Sequence, residues 1–287
     1  MTWLTWLLPI GALLALVFLG LTAFGSMRWT DATRRLTARL EAGRLPASLV
    51  RYDPRELEGL PAPVQRYFHA VLKEGQPLIA VAAIHLVGTI NMSPTGEQWK
   101  AFTSRQQVVA RRPGFLWDAK VAMFPGVPAH VVDRYIAGEG QLRAALLGLF
   151  TVAEVHGGGE IARGEFMRWF AEAAWYPTAL LPSQGVRWEA VDDRSANASI
   201  VDGPLTLTLL FGFNDDGLIV SVRAAARGAG VGKDMVMLPW ECSLSEYQLQ
   251  QGMLLLPMAG EAAWLRPEGR RAYFKGTVTA LRYEFTP

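Results

Sequence analysis

From Trp3 to Phe24 the chain runs 22 residues without a charged side chain. At about 1.5 Å of rise per helical residue such a run reaches about 33 Å, the thickness of a bilayer's hydrocarbon core. The pattern predicts a membrane-spanning helix. Trp3, Trp6 and Trp29 stand near its ends, where interfacial aromatics fall, and Pro9 lies in its first turns. A cleaved secretory signal is the alternative, with Ala23 and Gly25 as a small-x-small site, but Met1 and Thr2 supply no basic start and the apolar run exceeds the usual signal core. Beyond it, Leu36 and Leu40 stand four apart among Arg34, Arg35 and Arg39, which predicts an amphipathic juxtamembrane connector. Either it lies on anionic headgroups or it is solvated with its arginines snorkelling.

From Leu60 the pattern is that of a globular domain. Prolines at 61 and 63 suit the first turn of a helix that carries Val64, Tyr67, Phe68, Val71 and Leu72 on one face. After Gly75 the spacing changes to alternation: Phe115, Trp117, Ala119, Val121 and Met123 occupy every second position, a strand with one buried side. Similar stretches fall at 79–92, 98–110, 131–137, 186–191, 196–201, 205–213, 218–224, 240–249, 253–264 and 273–285. The turn residues Asp192-Asp193-Arg194-Ser195 and Asn214-Asp215-Asp216-Gly217 separate them as tight hairpins. One helix interrupts the strands over 160–175, with Phe166, Trp169, Phe170 and Ala173 as its apolar stripe and Glu165, Arg168 and Glu172 as an ion-pair ladder beside it. The expected fold is therefore α+β: an N-terminal transmembrane helix, then a curled, mostly antiparallel sheet forming a half-barrel or open barrel, with a covering helix. The expected divisions are an anchor at 1–29, a connector at 30–59 and one β-rich domain at 60–287.

Charge and composition narrow the function by exclusion. A formal net charge of +2 without a basic stripe excludes a nucleic-acid binder. Cys242 is the single cysteine, so no internal disulfide forms. Arg28, Arg34, Arg35, Arg39 and Arg44 all follow the apolar run, which places the domain in the cytoplasm; the extracytoplasmic side is the alternative, because long domains also translocate against this rule. Gly228-Ala229-Gly230-Val231-Gly232-Lys233 looks like a phosphate loop but has Arg227 where the first glycine belongs and Asp234 after the lysine, so it reads as a flexible hairpin loop. No G-x-S-x-G elbow occurs. His69, His85, His130 and His156 stand far apart, and the strand phase puts His130 and Asp133 on opposite faces. Neither a metal, a cofactor nor a catalytic group is indicated.

Several segments together resemble an uncharacterised bacterial family known only as a domain of unknown function: Leu60-Pro61-x-Pro63-Val64-x-Arg66-Tyr67, Gly114-Phe115-x-Trp117-x-Ala119, Asp133-x-Tyr135-x-x-Gly138-x-Gly140, Glu172-x-x-Trp175-x-Pro177-Thr178-Ala179-Leu180-Leu181, Val186-x-Trp188 with Asp192-Asp193, and Tyr283-Glu284-Phe285. No activity comes with that resemblance. The curled sheet with a lid also looks like the half-barrel of bacterial lipoprotein carriers, which hold acyl chains, an architectural analogy. The leading expectation is a membrane-tethered binder of a lipid or other apolar ligand, lined by Trp99, Phe115, Trp117, Tyr135 and Trp188, with Arg168, Glu172 and Trp175 under the lid. The alternatives are an accessory protein that docks a membrane complex and an enzyme acting on a lipid-like substrate.

Overall fold

The computed structural model describes residues 4–46, 51–93, 96–231, 234–250, 252 and 254–287. Trp3, at the head of the apolar run, lies outside them, as do Gly232, Lys233 and Met253.

The apolar run and the arginine-bearing segment after it form one unbroken helix, α1 (Leu4–Ala42). Much of its first half is exposed, with Leu13, Leu14, Leu16, Leu19 and Phe24 all open. Its second half is different, because Trp29, Leu36 and Leu40 pack on Val109, Leu116, Val132 and Ile136. A short amphipathic helix follows, α2 (Ala62–Val71), with Pro63 at its start and Val64, Tyr67, Phe68 and Val71 buried.

Among the described residues the named strands form one open antiparallel sheet of 13 strands. The first meander is β1 (Ile79–Asn91), β2 (Trp99–Val109), β3 (Gly114–Phe124), β4 (Val127–Ile136), β5 (Glu139–Leu146) and β6 (Phe150–Gly157). The second is β7 (Arg187–Asp192), β8 (Ser195–Asp202), β9 (Leu205–Phe213), β10 (Ile219–Val231), β11 (Asp234–Gln250), β12 (Leu254–Arg266) and β13 (Gly269–Phe285). Pairing of β1 with β13 joins the two meanders, so β6 and β7 become the free edges. Between them in sequence lies α3 (Gly159–Ala171), followed by 3-10 turns at Glu172–Trp175, Pro177–Leu180 and Pro182–Gln184.

The sheet curls around α3. That one helix touches β4, β5 and β6 on one side and β9 and β10 on the other, and a sheet of this width accumulates enough twist to bring such distant strands near each other. Across the top of the curl the Tyr135 hydroxyl on β4 donates to Asp202 on β8 at 2.6 Å, with eight strands between them in the sheet order. Alternation then assigns the two faces. Phe115, Trp117, Ala119 and Val121 of β3 join the main core inside the curl, while Leu116 between them turns outward onto α1. His130 likewise faces outward, its ring 5.4 Å from that of Trp29, whereas Asp133 faces inward onto α3.

Two strands, β5 and β6, have no legible alternation in the sequence. β5 is half-covered on both faces, by α1 and α3, and β6 is an exposed edge strand, so neither carries a polar and an apolar side. The glycine-rich segment also differs from the expected loop, since β10 continues through Gly228, Ala229 and Gly230 to Val231 in ladder with β11. The turn residues do what their chemistry suggests: Asp192 accepts from the Arg194 amide and Asn214 from the Leu218 amide, each at 2.8 Å.

Candidate functional site

Beneath α3 the curl leaves a cavity of about 310 Å3, within the size range of small-molecule sites. Most of its wall is apolar. Trp240 of β11, Ala262 and Trp264 of β12 and Phe274 of β13 form one side, and Leu142 of β5 and Val155 of β6 the other. Met235, also in the wall, is 48% exposed and marks the mouth, beside the tip of the hairpin between β10 and β11.

One end of the cavity is ionic. Arg168 projects from α3 into the curl, where its guanidinium donates to Glu172 at 2.8 Å, to Asp133 at 2.5 Å and to the Gln106 carbonyl oxygen at 3.2 Å. Gln106 closes the loop by donating to Glu172 at 2.6 Å. The flat faces of the same guanidinium lie 5.0 Å from the ring centres of Phe115 and Trp117. A four-residue spacing from the end of α3 into the 3-10 turn that continues it supplies Arg168 and Glu172, and strands supply the rest.

Glu165 shares this end and faces Asp133. Burial above all, then the Asp133 carboxylate, push its carboxyl well above the ordinary range. A carboxyl with a raised folded-state pKa binds its proton more tightly folded than unfolded. Its contribution is therefore fully present below the unfolded value of about 4.5 and is lost as pH rises toward the folded one. Denaturant midpoints measured at half-unit steps from pH 5 to 8 are expected to fall more steeply with pH in the wild type than in Glu165→Gln, which carries no titrating group there. Parallel profiles would show that Glu165 ionises freely.

A second arginine, Arg227 of β10, stands opposite. Its guanidinium lies 4.8 Å from the Trp240 ring centre and 6.0 Å from that of Trp264. Its Nη1 donates to the Tyr273 hydroxyl at 3.4 Å, which also accepts from the Trp240 indole at 2.9 Å. α3 passes directly over it at Gly164, where an added Cβ would sit 3.7 Å from the Arg227 Nε.

The residues expected from the sequence divide. Arg168, Glu172 and Trp175 line the cavity. Phe115 and Trp117 lie behind Arg168 as packing partners, not in the wall. Tyr135 stacks on Phe166 at 5.1 Å and serves the top of the curl. Trp188 packs against Phe68 and Phe211, away from the cavity, and the Trp99 ring lies 4.9 Å beneath the Lys275 ammonium. The reason is the sheet's width: its concave face is longer than the cavity, and α2, α3 and the turns after α3 fill the remainder. Nothing in the sequence marks Trp240, Trp264 or Tyr273 as a cavity residue, apart from the alternation of Trp240, Cys242 and Leu244 along one strand. Asp133 and Arg227 enter the sequence reading in other roles, the first set on the opposite face from His130 and the second breaking the phosphate-loop pattern.

Fold and site together define an open antiparallel sheet curled over a lidded, mostly apolar cavity with one ionic end. The chain belongs to the family of unknown function DUF6920, whose profile matches residues 58–283. It is similar to a crystal structure described as an outer membrane lipoprotein-sorting protein domain from Vibrio parahaemolyticus, at 9% identity and a TM-score of 0.40, over 71% of this chain and 86% of that one. No curated protein sequence matches.

Proposed function

We propose that the protein is a membrane-tethered binder of a lipid or other apolar ligand, held in the cavity beneath α3. The observation that carries this reading is the cavity itself: tryptophan and aliphatic side chains surround a space that the core could have filled, and polar groups converge at one end. The test is chemical. Full-length protein purified from membranes and transferred to amphipol is expected to release an apolar molecule, close to one per chain, on solvent extraction and mass spectrometry. Ala262→Trp, which adds bulk to the wall between Cys242 and Phe274, is expected to lose it. An extract no richer than that of an unrelated single-span protein would end the proposal.

The tether is α1. Most of its apolar first half is exposed, and a surface of that size is stable in hydrocarbon rather than water. Two hairpin tips of the sheet approach α1. Gly126, in the turn after β3, sits beside the Phe18 ring. Phe124 and Phe150 next to these turns are 64% and 60% exposed. Full-length protein is expected to stay in the membrane pellet through carbonate extraction; release into the supernatant would refute the anchor. The arginines after the apolar run favour a cytoplasmic domain, and an active C-terminal alkaline phosphatase fusion in a bacterial host would reverse that orientation.

A further inference from the structure

Arg168 and Arg227 are both buried arginines in one cavity, and their surroundings differ in kind. Arg168 has two carboxylates within ion-pair distance. Among the described residues no carboxylate lies within that distance of Arg227, which is 8% exposed and lines the cavity. Glu165, which shares the cavity, forms no ion pair with it, and burial pushes the Glu165 carboxyl up, against its charged form. A guanidinium keeps its charge inside a protein, so a buried one without a counter-charge is costly. Two indole faces offset part of that cost.

The hydroxyl next to it is poised in the same sense. Tyr273 accepts hydrogen bonds from Trp240 and Arg227, so its own proton points elsewhere. Burial first raises the Tyr273 pKa, keeping that proton in place. The guanidinium and the phenol thus bring two kinds of donor to one spot of a mostly apolar wall.

We propose that Arg227 and Tyr273 form the headgroup site of the cavity, and that the ligand is an amphiphile whose head is an anionic oxygen group, a carboxylate or a phosphate monoester, with its tail along Trp240, Trp264 and Phe274. This rests on the cavity being a ligand site. The head supplies the missing counter-charge, and the guanidinium fork and the phenol donate to its oxygens. A neutral alcohol of the same chain length would leave the charge unpaired.

The test is titration calorimetry on the full chain in amphipol, with empty amphipol subtracted, using dodecanoate, dodecyl phosphate and dodecanol below their aggregation concentrations. Wild type is expected to bind at least one of the two anions about tenfold or more tightly than dodecanol, and the stronger anion identifies the head. Arg227→Met is expected to bind all three as it binds dodecanol. Its thermal midpoint should equal or exceed that of wild type, because no carboxylate is orphaned. Tyr273→Phe, which keeps the ring, is expected to weaken the anion severalfold and leave dodecanol unchanged. Equal binding of the anions and dodecanol by wild type would overturn the headgroup site while leaving the cavity reading intact. No binding of any of the three, with no co-purifying lipid, would remove the cavity reading. A large stability loss in Arg227→Met would overturn the headgroup site by making the arginine structural.

Discussion

Replacing Arg168 by methionine is expected to destabilise the protein by about 3–5 kcal/mol, because the change leaves buried carboxylates without their cation. Asp133 and Glu172 both lose their donor, and their side chains are only 8% and 12% exposed. Methionine keeps much of the volume between Phe115 and Trp117, so the loss measures charge and hydrogen bonding rather than a void. Urea transitions followed by circular dichroism would give the value. The triple variant Arg168→Met, Asp133→Asn, Glu172→Gln should recover a large part of it, since neutral amides no longer need the guanidinium. A single variant within about 0.5 kcal/mol of wild type would show the network to be hydrated and dispensable.

Trp117→Ala is expected to cost a similar amount, about 3–5 kcal/mol, for a different reason. The indole is 3% exposed and packs edge-on against Phe102 at 5.7 Å on one side and against the Arg168 guanidinium on the other. Removing it opens a void in close-packed surroundings that the paired strands β2 and β4 prevent from collapsing. Because Trp117 stands behind the cavity wall, the amount of co-purifying apolar ligand should be unchanged per folded molecule. A small stability loss with loss of ligand would instead put Trp117 in the wall. The pair of measurements, melt and extraction, separates packing from binding at one residue.

The parts of the fold that local pattern governs were legible. Period-two alternation gave the faces of β3, and the helical stripe of Phe166, Trp169 and Phe170 gave α3, because each requires only neighbours along the chain. The N-terminal helix followed from an uncharged run, whereas its unbroken continuation to Ala42 did not, because the change from apolar to arginine-bearing residues reads as a boundary between an anchor and a connector. Less legible was whatever depends on two-sided burial: β5 shows no alternation because α1 and α3 cover opposite faces of it. The site divides along the same line. Arg168 and Glu172 were visible as a four-residue pair, whereas Asp133 and Gln106 reach Arg168 from 35 and 62 residues away. Arg227 could not be read at all, since what sets it apart is a missing partner, and a sequence does not display absences in three dimensions.

The seating of α1 on the sheet carries a mechanical consequence. Gly25 abuts the Leu147 carbonyl so closely that a Cβ there would meet it at 2.0 Å, the Trp29 indole donates to Asp118 at 2.8 Å, and Arg39 pairs with Glu139 at 2.9 Å. A helix clamped at three levels along its second half is a bracket, not a leash. With its first half in a bilayer, the domain would stand at a fixed height and a fixed tilt above that surface, without the freedom that a flexible stalk would give it.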